Sequence, residues 1–234
     1  MELTAALTRY FGFPGFRPGQ HEACEAALAS RDVLVVMPTG SGKSLCYQLP
    51  ALLREDLTVV VSPLVALMQD QVEALHARGL GHSVALLNAQ QDQAANADAL
   101  ARAVGGKLRL LYVAPERFSS PGFVARMREA RVGLFVVDEA HCVSQWGHDF
   151  RPDYFRLADA ARYLGADSIV ASTATATPGV AADVVRRLGL REPLRVATGF
   201  DRPNLSFAVA RPAPHEKHVL LVETLRAPDA LPAI

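Results

Sequence analysis

The segment Val33-Leu-Val-Val-Met-Pro-Thr-Gly-Ser-Gly-Lys-Ser44 decides the fold of this 234-residue chain. An apolar run ends at Met37, a loop of small residues follows, and a helix-compatible run begins at Lys43. In such a unit backbone N–H groups curl around phosphate oxygens, the lysine reaches the β- and γ-phosphates, and the serine hydroxyl ligates Mg²⁺. The pattern predicts a triphosphate-binding loop with these contact residues: Thr39, Gly40, Ser41, Gly42, Lys43 and Ser44.

The match to this loop pattern is not literal. The general pattern begins with glycine, and the first position here is Met37. A glycine- and serine-rich turn that contains a lysine by chance is the alternative. The order of apolar run, loop and helix-compatible run favours the phosphate loop over that turn.

Composition excludes several classes of protein. Half of the residues are hydrophobic, and 24 basic residues balance 24 acidic ones, so nucleic-acid binding would have to rest on local patches. Cys24, Cys46 and Cys142 lie far apart, which argues against a disulfide framework or a zinc site and favours buried thiols. The chain starts without a signal-peptide pattern and contains no apolar run of about 18 residues, so we expect a cytoplasmic protein that does not contact a membrane.

Alternating short apolar runs and helix-compatible stretches predict an α/β fold with a mainly parallel sheet and helices on both faces. In such sheets ligands bind beyond the carboxyl ends of the strands, where this chain places its unusual polar residues. The expected strands cover residues 33–37, 57–61, 84–87, 108–113, 134–137, 169–171 and 194–197; the expected helices cover 19–30, 64–78, 91–104, 153–164, 179–188 and 218–225.

Two acids complete the predicted nucleotide site. Asp138 and Glu139 follow an apolar run, so they are expected to face the phosphate loop from a neighbouring strand end. Asp138 is assigned to Mg²⁺, together with Ser44, and Glu139 to the base that activates the attacking water. Acids at a strand end also cap helices, and a lone pair would favour that interpretation. His141 alone could be a structural histidine. It is a candidate site residue only because it closes the tetrad Asp138-Glu-Ala-His141.

From this tetrad onward the chain resembles the superfamily 2 helicases, and within them the RecQ family of DNA helicases. The resemblance implies a RecA-like ATP-binding domain over residues 1–210, followed over 211–234 by a linker and the truncated start of a second RecA-like domain. It rests on the residues after the tetrad, Cys142-Val-Ser-Gln-Trp-Gly-His-Asp-Phe-Arg-Pro-Asp-Tyr154, and on similarities to motif 0 (residues 11–20), motif Ia (59–64 and 68–71), motif Ib (112–117), motif III (173–176) and the segment 200–205.

The resemblance to motif 0 implies that Gln20 and Arg17 select ATP. A Gln amide pairs with N6 and N7 of adenine, although a glutamine at a helix start also simply faces water. Similarly, the hydroxyls of Thr173 and Thr175 in motif III are expected to hydrogen-bond His141 or Glu139. Lys43, Asp138, Glu139 and His141 are the expected catalytic residues, with ATP and Mg²⁺ as cofactors.

Residues 144–154, here called the aromatic loop, contain the sole tryptophan of the chain. Aromatic rings stack on unpaired bases and arginine contacts phosphate, so the loop suits single-stranded DNA. A buried cluster is the alternative, expected to apply to Phe155 and Tyr154. The helix after Ser62 could hold phosphates through its free N–H groups. The predicted nucleic-acid contacts are Ser62, Gln71, Trp146, His148, Phe150 and Arg151.

The resemblance implies an ATP-dependent 3′ to 5′ DNA helicase and a monomer that acts on single-stranded and duplex DNA. Single-strand-binding and recombination proteins are further candidate partners, and the protein is expected at the bacterial nucleoid. Because the second motor lobe supplies an arginine finger, we expect this chain alone to turn over ATP weakly or not at all. A nucleotide- and DNA-binding half-motor, an RNA helicase of the same superfamily and a P-loop kinase or transporter ATPase are the alternatives.

Overall fold

The computed structural model describes residues 2–146, 149–199 and 209–226. The chain divides into two compact units, one over residues 1–200 and the other over 201–234. Within the second unit the described residues form helix Lys217–Leu225. No helix of the described residues is long and apolar enough to cross a membrane.

In the first unit seven strands form one sheet in which every recorded pairing is parallel. Their order across the sheet is β3-β4-β2-β5-β6-β1-β7. The predicted α/β fold with a mainly parallel sheet is confirmed. The strands are β1 (Val33–Val36), β2 (Leu57–Val61), β3 (Val84–Leu87), β4 (Leu110–Val113), β5 (Val132–Val137), β6 (Ser168–Thr173) and β7 (Leu194–Ala197).

Helices cover both faces of the sheet, because successive strand residues point to opposite sides and both sides are apolar. In β2, for example, Val59 belongs to one buried cluster and Val60 to the other. On one face lie α1 (Leu3–Phe11), α2 (Gln20–Leu28), α3 (Leu45–Leu53) and α4 (Val65–Ala77); on the other lie α5 (Gln93–Val104), α6 (Pro121–Met127), α7 (Leu157–Leu164) and α8 (Pro178–Leu188).

Three elements differ from the sequence prediction. Helix α1 was not predicted, although it buries Ala6, Leu7 and Phe11 in the core that it shares with α3. Helix α6 was also missed, because Pro121 and Gly122 are typical of a turn. Here they begin a short helix that Ser120 caps. The stretch predicted as one helix over 153–164 divides into a 3₁₀ turn, Pro152–Arg156, and α7.

The four central strands β2, β5, β6 and β1 are neighbours, and their carboxyl ends carry the residues that the sequence analysis singled out. The phosphate loop follows β1, Ser62 follows β2, and Asp138 follows β5. Strand β6 runs further than predicted and includes Ser172 and Thr173, since both residues pair with β1. The sheet therefore brings the nucleotide motifs and the start of motif Ia to one edge.

Candidate active site

The phosphate loop begins with a buried methionine in the place where glycine is usual. Met37 donates its backbone N–H to the carbonyl of Thr173 at 3.1 Å. Its side chain is 1% exposed and reaches the turn that starts α2, since a methyl group added to Gly19 would lie 2.9 Å from the Met37 Cε atom. The methionine thus fills the core beneath the loop instead of crowding the phosphate side.

Glycine is required at the inner turn of the loop. Gly42 has φ 84°, and a Cβ there would lie 2.7 Å from the Gln20 amide nitrogen. Helix α3 starts at Leu45, two residues later than predicted, because Lys43 and Ser44 form the turn that leads into it. Thr39 and Gly40 are exposed, whereas Ser41, Lys43 and Ser44 are partly buried.

The motif 0 side chains are directed at the phosphate loop. Gln20 is 3% exposed and donates its amide to the carbonyls of Ser41 and Gly42 at 3.1 and 3.2 Å. Its Oε1 atom accepts from the backbone N–H of Arg17 at 2.8 Å, and the Arg17 guanidinium donates to the carbonyl of Gly40 at 2.7 Å. Gln20 and Arg17 therefore brace the loop in this structure, and their contact with adenine stays a prediction.

A pocket of about 430 Å³ lies beside the loop, between motif 0 and helices α3 and α4. Phe13 and Arg78 in its lining were missed by sequence reasoning. The guanidinium of Arg78 stands 5.9 Å from the Phe13 ring centre and 5.6 Å from that of Phe11, and it donates to the Phe11 carbonyl at 2.8 Å. The signal for Phe13 is its place within motif 0, whereas no motif marks Arg78.

The side chain of Gln71 contacts helix α3 in this structure. Its Oε1 atom accepts from the Gln48 amide at 2.7 Å, and both side chains line the pocket beside the phosphate loop. The same Gln48 nitrogen lies 2.8 Å from the buried hydroxyl of Tyr112. Met68, Val72 and Leu75 bury one face of α4 and turn Gln71 toward α3, and the contact of Gln71 with DNA stays a prediction.

Asp138 is buried at the end of β5, where its backbone N–H donates to the carbonyl of Val61 at 2.8 Å. Burial, and the neighbouring charge of Glu139, raise the pKa of its carboxyl to about 6. The charge of Lys43 acts in the opposite direction on this pKa. Lys43 also lowers the pKa of Glu139, so the charge of the loop lysine acts on both strand-end acids.

Glu139 adopts a backbone conformation that is uncommon for a residue with a side chain. Its φ of 48° and ψ of 46° lie in the left-handed region. A hydrogen bond with His141 lowers the pKa of its carboxyl, with further lowering from Lys43 and the backbone N–H of Ala174. The sharp turn at Glu139 therefore brings an ionised carboxylate between the tetrad histidine, the loop lysine and motif III.

His141 connects the tetrad to motif III. Its Nδ1 atom lies 2.9 Å from the Thr173 hydroxyl oxygen and 3.3 Å from the Glu139 carboxylate. The Thr173 hydroxyl donates to the carbonyl of Thr175 at 3.1 Å, so it accepts the Nδ1–H of His141. The expected hydroxyl contact of motif III with His141 is thus present.

The aromatic loop presents its rings to solvent. Trp146 is 82% exposed and Phe150 is 38% exposed. Arg151 is held by Asp149 at 3.0 Å and donates to the carbonyl of Pro63 at 3.4 Å. The structure therefore brings Trp146, Phe150 and Arg151 together on one loop, while His148 lies outside the described residues.

The buried-cluster expectation for the end of this loop holds for one of its two residues. Tyr154 is fully buried, and its hydroxyl donates to the carbonyl of Asp138 at 3.0 Å. Phe155 is 38% exposed, in contrast to the prediction, because it packs on Phe150 and beneath Arg187 at the surface. The aromatic loop is thereby tied directly to the backbone of the acidic tetrad.

Ser62 follows β2 and precedes Pro63, whose carbonyl accepts from Arg151 of the aromatic loop. Its side chain is 2% exposed, and its hydroxyl has no hydrogen-bond partner among the described residues. No side chain caps the start of α4, which follows at Val65. The three cysteines are free and buried, as predicted.

Comparisons with known proteins identify the type of domain. The family model of DEAD/DEAH box helicases matches residues 17–184. The chain is 38% identical, over 97% of its length, to a probable ATP-dependent DNA helicase RecS of Bacillus subtilis, and 42% identical, over 88%, to the ATP-dependent DNA helicase RecQ of Haemophilus influenzae. It spans 46% and 33% of those two proteins.

The fold also matches solved structures. A hypothetical ATP-dependent RNA helicase of Sulfolobus tokodaii superimposes with a TM-score of 0.64 at 19% identity, over 84% of this chain and 56% of that one. At this identity the likeness concerns the fold alone. It confirms the RecA-like architecture that the sequence resemblance implied.

Proposed function

Because the chain belongs to the DEAD/DEAH box helicase family and shares about 40% of its residues with RecQ and RecS proteins, we propose that it is the ATP-binding half of a RecQ-type DNA motor. The observation that carries the proposal is the physical link between the acids of the phosphate site and the exposed aromatic loop. Tyr154 at the end of that loop donates to the carbonyl of Asp138. A conformational change of the loop on binding DNA therefore alters the position of the acids that act on ATP.

ATP binds with its phosphates in the loop after β1 and its base in the pocket lined by Phe13 and Arg17. The loop N–H groups and Lys43 hold the phosphates, and Phe13 is 45% exposed, which leaves ring surface for stacking on a base. Gln20 supplies adenine selectivity. Since both of its amide hydrogens are used by the loop, contact with N7 requires exchange of one of these bonds.

The residues present fit a magnesium ion. Asp138 is a buried carboxylate whose pKa is raised to about 6 by burial and by the neighbouring charge of Glu139, and a bound divalent cation would lower that pKa again. The carboxylate of Asp138 and the hydroxyl of Ser44 are the hard oxygen donors that this ion prefers. When bound, Mg²⁺ neutralises charge on the β- and γ-phosphates.

Glu139 orients and deprotonates the water that attacks the γ-phosphate. Its lowered pKa keeps the carboxylate ionised near neutral pH, and His141 and the N–H of Ala174 fix its position. Lys43 stabilises the negative charge on the phosphates that it contacts. Together these side chains supply positioning and electrostatic stabilisation, which are the main requirements of phosphoryl transfer.

Single-stranded DNA binds along the edge formed by Ser62 and the aromatic loop. Trp146 and Phe150 stack on bases, and Arg151 contacts phosphate, each stacked base contributing about 1–3 kcal/mol. Movement 3′ to 5′ along the strand and unwinding of duplex DNA are the proposed activities of the full protein, in which a second lobe completes the site.

Binding measurements on the 234-residue chain test the proposal without requiring turnover. The fluorescence of Trp146 reports on the loop, because the chain contains no other tryptophan. We expect single-stranded DNA to quench it and a matched RNA strand to quench it less. Arg151→Ala should weaken the DNA effect, whereas Arg162→Ala, which removes an exposed arginine paired with Asp159, should not.

Nucleotide binding is measured in parallel with a fluorescent ATP analogue. Lys43→Ala should abolish analogue binding and leave quenching by DNA intact. A stronger response to RNA would favour the RNA helicase instead, and the absence of both DNA and RNA binding would refute the proposed nucleic-acid function.

A further inference from the structure

Helix α8 follows motif III and lies beside the aromatic loop. We propose that Asp183 and Arg187 of this helix are positioning residues for the aromatic loop, so that DNA occupancy reaches Glu139 and His141 through α8 and motif III as well as along the chain from the tetrad. The inference rests on the proposed function, because it concerns how DNA binding is coupled to the nucleotide site.

The first contact runs from Asp183 to the start of the loop. The carboxylate is 5% exposed and lies within hydrogen-bond distance of Arg186 and Arg187. Burial alone would raise the pKa of this carboxyl, but hydrogen bonds from Arg186, Ser144 and Arg187 outweigh it and lower the pKa. The Ser144 hydroxyl donates to this carboxylate, and Asp183 lines the same groove as Trp146, so the buried anion lies beside the start of the aromatic loop.

Ser144 also binds the backbone of the tryptophan. Its hydroxyl oxygen accepts the backbone N–H of Trp146 at 3.2 Å. A hydroxyl donates one hydrogen and accepts others, so one serine satisfies both the Asp183 carboxylate and the Trp146 backbone. Loss of the carboxylate releases the hydroxyl that holds the backbone beneath the indole.

The second contact runs from Arg187 to the end of the loop. Its Nε atom lies 2.8 Å from the Asp183 carboxylate, and its guanidinium stands 4.9 Å from the ring centre of Phe155. The Phe155 ring in turn lies 5.0 Å from that of Phe150. Asp183 and Arg187 therefore hold the loop near both ends of its exposed aromatic stretch.

The indole itself is exposed to solvent between these anchors. A groove of about 470 Å³ separates Trp146 from the first turns of α8, with Thr177, Val180 and Arg186 in its lining. Helix α8 thus fixes the backbone of the loop while the ring remains 82% exposed. This arrangement suits a ring that binds a ligand and reports its presence to the helix.

At its other end α8 is joined to the catalytic acids. Thr177 caps the helix by accepting the N–H of Val180 at 3.3 Å, and only three residues separate it from Thr173. Thr173 binds His141, and the N–H of Ala174 binds Glu139. Displacement of α8 by the aromatic loop therefore changes the position of motif III against the tetrad.

The test measures the coupling between ligands in Asp183→Asn, which keeps the side-chain shape and removes the charge. The affinity for single-stranded DNA is determined from Trp146 quenching, with and without a non-hydrolysable ATP analogue. Where allosteric coupling is of ordinary size, the analogue changes the DNA affinity of the wild type by about fivefold or more. In Asp183→Asn we expect this factor to fall toward one. Analogue affinity without DNA should not change.

Asp159→Asn is the matched control, because Asp159 pairs with an arginine three residues later, as Asp183 does, but is 78% exposed on α7. Ser144→Ala serves as a second variant in case Asp183→Asn folds poorly. It should reproduce the loss of coupling and make acrylamide quenching of Trp146 more efficient. Combined with Asp183→Asn, it should add less than it does alone, since both changes act on the bond between Asp183 and Ser144.

Retained coupling in Asp183→Asn and Ser144→Ala, with a wild-type protein that binds and couples both ligands, would overturn the inference and leave the proposed function standing. A wild-type chain that binds no nucleic acid would overturn both. Equal loss of coupling in Asp159→Asn would also contradict the inference, because the effect would then not depend on α8.

Discussion

The Nδ1 atom of His141 lies 2.9 Å from the hydroxyl oxygen of Thr173, and both side chains are buried. The threonine hydroxyl donates to the carbonyl of Thr175, which leaves it as an acceptor for the imidazole N–H. The end of strand β6 thereby sets the orientation of the tetrad histidine. The histidine in turn makes the largest contribution to the lowered pKa of Glu139.

Thr173→Val removes this acceptor with little change in volume. The Nδ1–H keeps the Glu139 carboxylate at 3.3 Å as an acceptor, so the change costs one hydrogen bond of about 0.5–1.5 kcal/mol. We therefore expect single-turnover ATP hydrolysis by the full protein to fall about two- to tenfold if the loss is expressed in the transition state. Affinity for the ATP analogue should stay within twofold, roughly, since the Thr173 hydroxyl is directed at His141 and not at the phosphate loop. Thr58→Val, which removes a buried threonine hydroxyl that has no hydrogen-bond partner among the described residues, is the control. An unchanged hydrolysis rate in Thr173→Val would show that the histidine orientation is set elsewhere.

Gln20→Ala separates two roles of the motif 0 glutamine. Its amide holds the carbonyls of Ser41 and Gly42, so its removal should weaken binding of ATP and GTP together. If Gln20 also reads adenine, the loss should be greater for ATP, by about 1–3 kcal/mol. Dissociation constants of both nucleotides provide the measurement. An equal increase in the dissociation constants of ATP and GTP would show that Gln20 only holds the loop and does not select adenine.

Arg78→Ala should weaken nucleotide binding without changing the chemical step. Arg78 stacks beside Phe13 and Phe11 and fixes the Phe11 carbonyl, so its loss loosens the wall of the base pocket. A cation–π contact of about 0.5–2 kcal/mol predicts a rise of roughly two- to thirtyfold in the dissociation constant of ATP. Arg9→Ala removes a similar contact with Tyr10 and is the control. A change in hydrolysis rate at saturating ATP would contradict this assignment.

Asp138→Asn should stabilise the fold while it impairs function. Because the folded-state pKa of about 6 lies above the ordinary value of 3.8, this carboxyl favours folding below about pH 4, and that contribution is lost as the pH rises to 6. Removal of the charge should raise the free energy of unfolding at pH 7 by about 1–3 kcal/mol. Urea denaturation at pH 4 and pH 7 measures the effect. A gain of the same size at both pH values would exclude ionisation as its cause.

Much of the fold was predictable because both faces of the central strands are apolar and polar clusters follow their ends. Val59 and Val60 enter different cores, which explains the unbroken apolar run of β2. Helix α1 was not predicted because no side chain caps its start, although Leu7 and Phe11 lie four residues apart and are both buried. The end of β6 was placed too early because Ser172 and Thr173 are polar, although both lie fully buried in the sheet.

Within the site, positions along the chain predicted which motifs meet, but not which atoms bond. The proximity of Lys43, Asp138 and Glu139 follows from neighbouring strand ends. The bond between Gln71 and Gln48 depends on the rotation of α4, and the contact of Arg78 with Phe13 depends on where that helix ends. Such details arise from tertiary packing, which has no local signature in the sequence.

Glu139 occupies a left-handed backbone conformation that glycine and asparagine adopt more readily. Holding an L-residue there costs about 1 kcal/mol or more. Directed evolution for heat resistance alone would therefore drift away from glutamate at this position, and each gain would remove the proposed base. A library built to make this domain more robust should keep position 139 fixed and seek its improvements at other sites.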